Sequence, residues 1–198
     1  MNTVFFDIDT QIDFLYPAGA LYAPGAETIV EAVASLNRHA GTKGIPLIST
    51  ADAHSENDPE FRQWPPHCVV GTTGQQKPAA TLLEKRVSVP SAPANIDLAG
   101  ARQIVIEKQT VDCFSNVNLP EILRKLGAGR CVVYGVVTEV CVKHAALGLL
   151  ALGQQVSVVT DAIRALNEED GHRALEQIVA RGGQLITAEE VYRQSSIT

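Results

Sequence analysis

The sequence predicts an α/β protein in which helices cover both faces of a mostly parallel β-sheet. Short apolar runs alternate along the chain with longer segments whose apolar residues recur at helical spacing. The short runs are apolar on successive residues, which is typical of strands that are buried on both faces. The alternation of such strands with helices places the connecting helices on the two faces of one sheet.

Six segments have the apolar character of buried strands: residues 4–8, 46–50, 103–106, 131–135, 155–160 and 184–187. Helices are predicted over residues 26–40, from about residue 120, and over residues 138–150, 168–181 and 188–193. Pro120 suits a first helical turn, and Gly182 and Gly183 follow a helix end, where glycine is common. Residues 52–95 are irregular, and a long excursion of this kind in a compact domain is usually functional.

The composition predicts a single globular domain over residues 1–198. Apolar residues make up 45% of the chain and charged residues 19%, and the net charge is −6. This balance gives no attraction to nucleic acid or to an anionic membrane surface, and no apolar run is long enough to span a membrane. The acidic start lacks the positive segment of a signal peptide, so we expect a cytoplasmic protein whose four cysteines stay reduced.

Reactive side chains follow the carboxyl ends of the first four predicted strands. In strand order they are Asp9 and Asp13, then Asp52 and His54, then Lys108, and finally Cys141. Ligands of open parallel sheets bind beyond the carboxyl ends of the strands. We therefore expect these side chains to meet at one edge of the sheet.

Cys141 is the candidate nucleophile, with Asp13 as its proton acceptor and Lys108 as the cation beside them. Cys141 lies in the first turn of the helix that begins near Thr138, and a helix N-terminus lowers a thiol pKa. A carboxylate that lysine keeps ionised can take the thiol proton and return it to a leaving amine. Asp9, directly at the strand end, is interpreted as bracing the loop. From position alone, a core thiol, a turn aspartate and a solvated lysine are the alternatives.

Asp52, His54 and His67 form a candidate metal site. One carboxylate and two imidazoles suit zinc, iron or manganese, with coordination positions left open for water or substrate. Surface histidines without a metal are the alternative interpretation. Trp64 lies in the same segment as His67, where it either stacks on a flat ring or belongs to the core.

Six motifs resemble, in order, those of the isochorismatase-like cysteine hydrolases, and within them the nicotinamidase/pyrazinamidase branch. They are DTQIDF at residues 9–14, AGAL at 18–21, DAH at 52–54, WPPHCV followed by GTTG at 64–74, EK at 107–108, and GVVTEVCV at 135–142. Each motif is short, but together they are highly specific. The metal-binding set favours the nicotinamidases, because the isochorismatases and N-carbamoyl amidases of this superfamily generally lack it.

The resemblance implies a six-stranded parallel sheet in an α/β/α sandwich. It implies Asp13 as acid and base, Lys108 as its charged partner and Cys141 as the nucleophile. It also implies a cis peptide bond between Val136 and Val137, with the backbone N–H groups of Val137 and Cys141 forming an oxyanion hole.

The implied reaction is the hydrolysis of nicotinamide to nicotinate and ammonia through a thioester on Cys141, a step of NAD salvage. A divalent metal ion is implied at the three candidate ligands, with zinc expected before iron or manganese, and the ring is expected to lie against Phe14 and Trp64. A fourth protein ligand is left open within residues 55–63; the candidates are Ser55, Glu56, Asp58 and Glu60.

Two other functions remain open at this point. A metal-poor relative would apply the same cysteine chemistry to another amide, a ureido compound or a vinyl ether. A non-catalytic protein would use this fold only as an oligomerisation module, and a homo-oligomer is compatible with either function. A nucleotide-dependent oxidoreductase is disfavoured, because the first strand-to-helix turn has no GxGxxG motif.

Overall fold

The computed structural model describes residues 2–195 as a parallel sheet of seven strands flanked by helices. The strands are β1 (Asn2–Ile8), β2 (Leu47–Asp52), β3 (Arg86–Val89), β4 (Gln103–Lys108), β5 (Ala128–Val136), β6 (Gln155–Arg164) and β7 (Gln184–Ile186). The helices are α1 (Ile12–Leu15), α2 (Val30–Lys43), α3 (Leu119–Leu126), α4 (Lys143–Ala151), α5 (Glu168–Ala180) and α6 (Ala188–Ser195).

The helices form two groups around the sheet. α2 contacts β1, β2 and β6 together with α6, whereas α4 contacts β5, β6 and α5. Every strand pairing is parallel. The α/β class and the parallel sheet predicted from the sequence are therefore confirmed.

The predicted count of six strands is wrong by one, because β3 lies within the segment interpreted as irregular. β3 has four residues, and only Val89 among them is buried. It occupies the edge of the sheet beside β4, where a strand needs neither length nor two apolar faces. A short strand with exposed side chains gives little periodic signal in a sequence.

The strand order opens a crevice beside β1, the central strand. The order across the sheet is β3-β4-β2-β1-β5-β6-β7, so the chain crosses from one side of β1 to the other between β4 and β5. Such a change of direction leaves a crevice at the carboxyl ends of the strands, where ligands bind in open parallel sheets.

The hydrophobic core runs along both faces of the sheet. Phe5 and Phe6, successive residues of β1, are both fully buried, although successive strand side chains point to opposite faces. The four cysteines are also buried, and none of them forms a disulfide. Within residues 2–195, no helix combines the length and apolar character that crossing a membrane requires.

Candidate active site

Four strands bring reactive side chains to the crevice at the carboxyl edge. β2 ends at Asp52 and β4 ends at Lys108, and the parallel register pairs these two residues. Asp9 follows the last residue of β1. After β5, the π-helical turn Thr138–Val142 carries Cys141 and leads into α4. The convergence expected at this edge is therefore present.

The buried ammonium group of Lys108 joins these side chains. Its Nζ lies 2.9 Å from Asp9 Oδ2 and 3.8 Å from Cys141 Sγ, and it donates a hydrogen bond to Asp52 Oδ1. The Asp9 carboxylate is also close enough to the Cys141 thiol to act on its pKa. We call Asp9, Lys108 and Cys141 the thiol cluster.

Asp13, the acid and base predicted from the sequence, has other partners. Its Oδ1 accepts the backbone N–H of Ala20 at 3.0 Å, and its Oδ2 accepts that of Cys68 at 2.7 Å. A Cβ added to Gly74 would overlap Asp13 Oδ2, so the backbone encloses this carboxylate closely. The expected positions of the two aspartates are thus exchanged: Asp13 braces the loops, and Asp9 faces the lysine and the thiol.

The backbone of Asp9 is itself unusual. Its φ of +46° lies in the left-handed region, which a non-glycine residue rarely adopts and which tends to occur at functional sites. Thr50 holds the turn, because its hydroxyl accepts the Asp9 N–H at 3.1 Å and donates to Asp9 Oδ1 at 2.6 Å. The sequence signal that favours Asp9 is its place directly at a strand end, like Asp52 and Lys108.

Burial shapes the protonation of the thiol cluster. Burial raises the pKa of Asp9, although Lys108 opposes it. Burial alone would lower the pKa of Lys108, but Asp52 and Asp9 raise it well above its ordinary value, so the ammonium stays charged. Burial also raises the pKa of the Cys141 thiol. Lys108 acts in the opposite direction, as the helix N-terminus was expected to do, but the pKa remains above its ordinary value.

The three predicted metal ligands converge, and Glu60 joins them. Asp52 Oδ2 lies 3.8 Å from His54 Nε2 and 3.6 Å from His67 Nε2. Glu60 Oε2 lies 3.5 Å from His54 Nε2. We call these four residues the donor cluster.

Neighbouring acceptors orient both imidazoles of the donor cluster. His54 Nδ1 lies 3.1 Å from Asp58 Oδ2, and His67 Nδ1 lies 2.7 Å from the carbonyl oxygen of Pro65. A proton on each Nδ1 leaves each Nε2 with a free lone pair, as in metal-binding histidines. His54 Nε2 and Glu60 Oε2 are buried without a hydrogen-bond partner in the described chain. These residues therefore fit a divalent metal ion.

Position selects Glu60 among the four candidates for a further ligand. Ser55 and Glu56 are exposed. Asp58 lies beside Nδ1 of His54 and accepts the Glu60 N–H at 3.0 Å, so its carboxylate supports the loop. Burial raises the pKa of Glu60, and the charge of Asp52 adds to that shift. A nearby cation would offset both effects.

Asp52, a residue of the donor cluster, also contacts the thiol cluster. Its Oδ1 accepts from Lys108, while its Oδ2 faces the two histidines. Burial acts to raise the pKa of Asp52, but Lys108 and the histidines outweigh it and hold the pKa well below its ordinary value. Asp52 therefore stays a carboxylate and links the thiol cluster to the donor cluster.

A narrow, mostly apolar cavity lies between the two clusters. Phe14 and Trp64 line it, as expected for side chains that flank a ring. The peptide bond between Val136 and Val137 is cis, as the resemblance implied. The other lining residues are Leu21, Asp52, Glu60, His67, Val111, Val136, Val137, Val140, Cys141 and Leu166. Val111 and Leu166 lie outside every motif, so no signal in the sequence indicated them.

Comparison with known proteins agrees with this arrangement. The family model described as the isochorismatase domain matches residues 3–87 and 93–190. The chain belongs to the isochorismatase domain family. The match includes both the thiol cluster and the donor cluster.

Individual members of the isochorismatase family identify the branch that this chain resembles. It is 28% identical to the nicotinamidase of Escherichia coli over 210 residues, covering 91% of this chain and 92% of that protein. The pyrazinamidase of Pyrococcus horikoshii, solved in complex with zinc, superposes with a TM-score of 0.81 at 30% identity, covering 94% and 99% of the two chains. The pyrazinamidase/nicotinamidase of Streptococcus mutans gives 0.79 at 28% identity, covering 93% and 100%. The resemblance stated from the motifs is confirmed.

Proposed function

We propose that this isochorismatase-family chain is an amide hydrolase that converts nicotinamide to nicotinate and ammonia. One observation carries the proposal: Cys141 of the thiol cluster and three residues of the donor cluster line the same narrow cavity, and Asp52 of the donor cluster binds Lys108. A flat amide with a ring nitrogen can present its carbonyl to the thiol and its ring nitrogen to the donor cluster. The similarity to proteins named nicotinamidase or pyrazinamidase supports this substrate.

Asp9 is the proposed acid and base, in the place first expected for Asp13. It takes the proton of Cys141 as the sulfur bonds to the amide carbonyl carbon, and it gives that proton to the departing ammonia. Burial raises the pKa of Asp9, which makes the carboxyl a better proton acceptor and holds the proton until it is needed. Lys108 stays charged and stabilises the thiolate as it forms.

The cleavage leaves a thioester between Cys141 and the substrate acyl group. The backbone N–H groups of Val137 and Cys141 are proposed to stabilise the oxyanion in both steps. Asp9 then takes a proton from water, which adds to the thioester carbonyl. The carbon–sulfur bond breaks, Asp9 gives its proton to the sulfur, and the product leaves as nicotinic acid, which ionises to nicotinate in water.

The donor cluster is proposed to hold a divalent metal ion, and we propose zinc. The ligands would be Asp52, His54, Glu60 and His67, a set of imidazole and carboxylate donors that suits zinc, iron or manganese. When bound, the ion would supply a Lewis-acidic contact for the ring nitrogen. Phe14 and Trp64 are proposed to lie against the ring.

The test is ammonia release from nicotinamide by the purified protein, with Cys141→Ala and a chelator-treated sample beside it. We expect turnover that disappears in Cys141→Ala, falls after chelation and returns when zinc is added. Absence of turnover by the zinc-loaded protein would refute nicotinamide as substrate. Turnover that survives Cys141→Ala would refute the thioester.

A further inference from the structure

The side chain of Gln11 is fully buried and bonds to both backbone groups of Asp52. Its Oε1 accepts the Asp52 N–H at 2.7 Å, and its Nε2 donates to the Asp52 carbonyl oxygen at 2.8 Å. The second proton of Nε2 goes to the carbonyl oxygen of Gln75 at 2.7 Å. Both donors of the amide are therefore used, and each has one defined partner.

These hydrogen bonds take the place of the backbone pairing with β1, which ends before it reaches Asp52. The register between β1 and β2 runs from Phe5 with Leu47 to Asp7 with Ser49, and β1 stops at Ile8. On the other side, Asp52 is paired with Lys108 of β4. The amide of Gln11 thus continues the hydrogen-bond ladder on the β1 side, where β2 would otherwise lack a partner.

We propose that Gln11 is a positioning residue that aims the Asp52 carboxylate at Lys108 and at the donor cluster together. With its backbone held on both sides, Asp52 directs Oδ1 to Lys108 and Oδ2 to the two histidines. If the Asp52 backbone turned, one of these two contacts would be lost. Gln11 acts through Asp52, and in its metal contacts the inference rests on the function proposed above.

The experiment compares Gln11→Met with Gln103→Met, a matched control. Gln103 is also fully buried and bonded through its whole amide: Nε2 donates to Ser49 Oγ and to the Thr81 carbonyl oxygen, and Oε1 accepts the Leu83 N–H. None of these partners belongs to the thiol cluster or the donor cluster. Methionine keeps the length of either glutamine and removes its hydrogen bonds, so both variants should lose thermal stability.

Zinc affinity separates positioning from stability. We measure it by competition with a chromophoric chelator, using each full-length variant stripped of metal and reloaded with zinc alone. Gln11→Met should bind zinc about 10–100-fold more weakly than the unmodified protein, the usual loss when a group that orients a ligand is removed. Gln103→Met should stay within about twofold of the unmodified protein. Unchanged zinc affinity in Gln11→Met, or equal losses in both variants, would overturn the proposal.

Gln11→Asn covers the case in which Gln11→Met does not fold. It keeps a buried amide but is one methylene shorter, so it cannot reach both backbone groups of Asp52. We expect the same selective loss of zinc affinity, and normal affinity would contradict the proposal. Because the readout is zinc binding, a protein that binds zinc but does not hydrolyse nicotinamide would refute the proposed substrate and leave this test intact.

Discussion

The thiol cluster and the donor cluster face one cavity, but regular strand ends position the first and an irregular segment positions most of the second. The thiol cluster lies at the ends of β1 and β4 and in the turn after β5, and its charges are paired within the protein. Most of the donor cluster comes from the irregular segment after β2, and its His54 Nε2 and Glu60 Oε2 are buried without a hydrogen-bond partner among the described residues. The difference indicates that ion pairs within the chain balance the charges of the thiol cluster, whereas the donor cluster offers donor atoms that fit a cation.

The largest expected effect tests which aspartate belongs to the thiol cluster. Asp9→Asn should lower the rate of ammonia release from nicotinamide by about 10²–10⁴-fold, because an amide cannot carry the proton of Cys141. Asp13→Asn is the matched control and should retain much more activity, since its carboxylate binds backbone N–H groups. If Asp13→Asn abolished turnover while Asp9→Asn kept it, the original assignment of Asp13 would be restored.

The next effect tests the donor cluster. Glu60→Gln should weaken zinc binding by at least about tenfold, because it replaces a charged ligand with a neutral one. Chelator competition measures the affinity, with Glu56→Gln as the control: Glu56 lies in the same segment but is exposed. Equal affinities in the two variants would exclude Glu60 as a ligand.

A smaller effect concerns the hydrogen bonds of Asp13, one of which holds the loop next to His67 of the donor cluster. Asp13→Ala should lower the free energy of unfolding by about 1.5–3 kcal/mol, the usual contribution of a hydrogen bond to a charged group. Urea denaturation of the metal-free protein gives this quantity. A loss below about 0.5 kcal/mol would mean that Asp13 does not hold the loop that carries Cys68.

The smallest effect is a pH response that arises outside both clusters. His39 stacks near Phe5 and Tyr192, its Nε2 is buried, and burial lowers its pKa below the ordinary 6.5, with Lys43 adding to the shift. The folded state therefore favours the neutral ring. The stability contribution is fully present above pH 6.5 and is lost as the pH falls through the lowered pKa.

The melting temperature of the metal-free protein, measured as the pH is lowered from 7 to 5, checks this response. The fall between pH 6.5 and pH 5 should be shallower in His39→Leu, which cannot titrate, than in the unmodified protein. Identical pH profiles would assign the response to other groups.

Most residues of the site could be predicted from the sequence, because the end of a strand is a local feature of the chain. Lys108, Cys141, Asp52 and the two histidines follow apolar runs or lie in motifs, and all of them reach the expected edge. The sequence did not indicate that Asp9, rather than Asp13, contacts Lys108, because both aspartates follow β1 within five residues. Only the turn at Asp9, with its positive φ, decides which carboxylate meets the lysine.

The sequence by itself determined the parallel α/β architecture, the positions of six strands, and the residue types that reach the carboxyl edge. These features follow from hydrophobic periodicity and from residue order, which are local. Only the tertiary structure decided the edge strand β3, the contact of Asp9 rather than Asp13 with Lys108, the place of Glu60 in the donor cluster, and the raised pKa of Cys141. Each of these depends on burial or on distances between segments that lie far apart in the chain, because desolvation and short-range contacts exist only once the chain has folded.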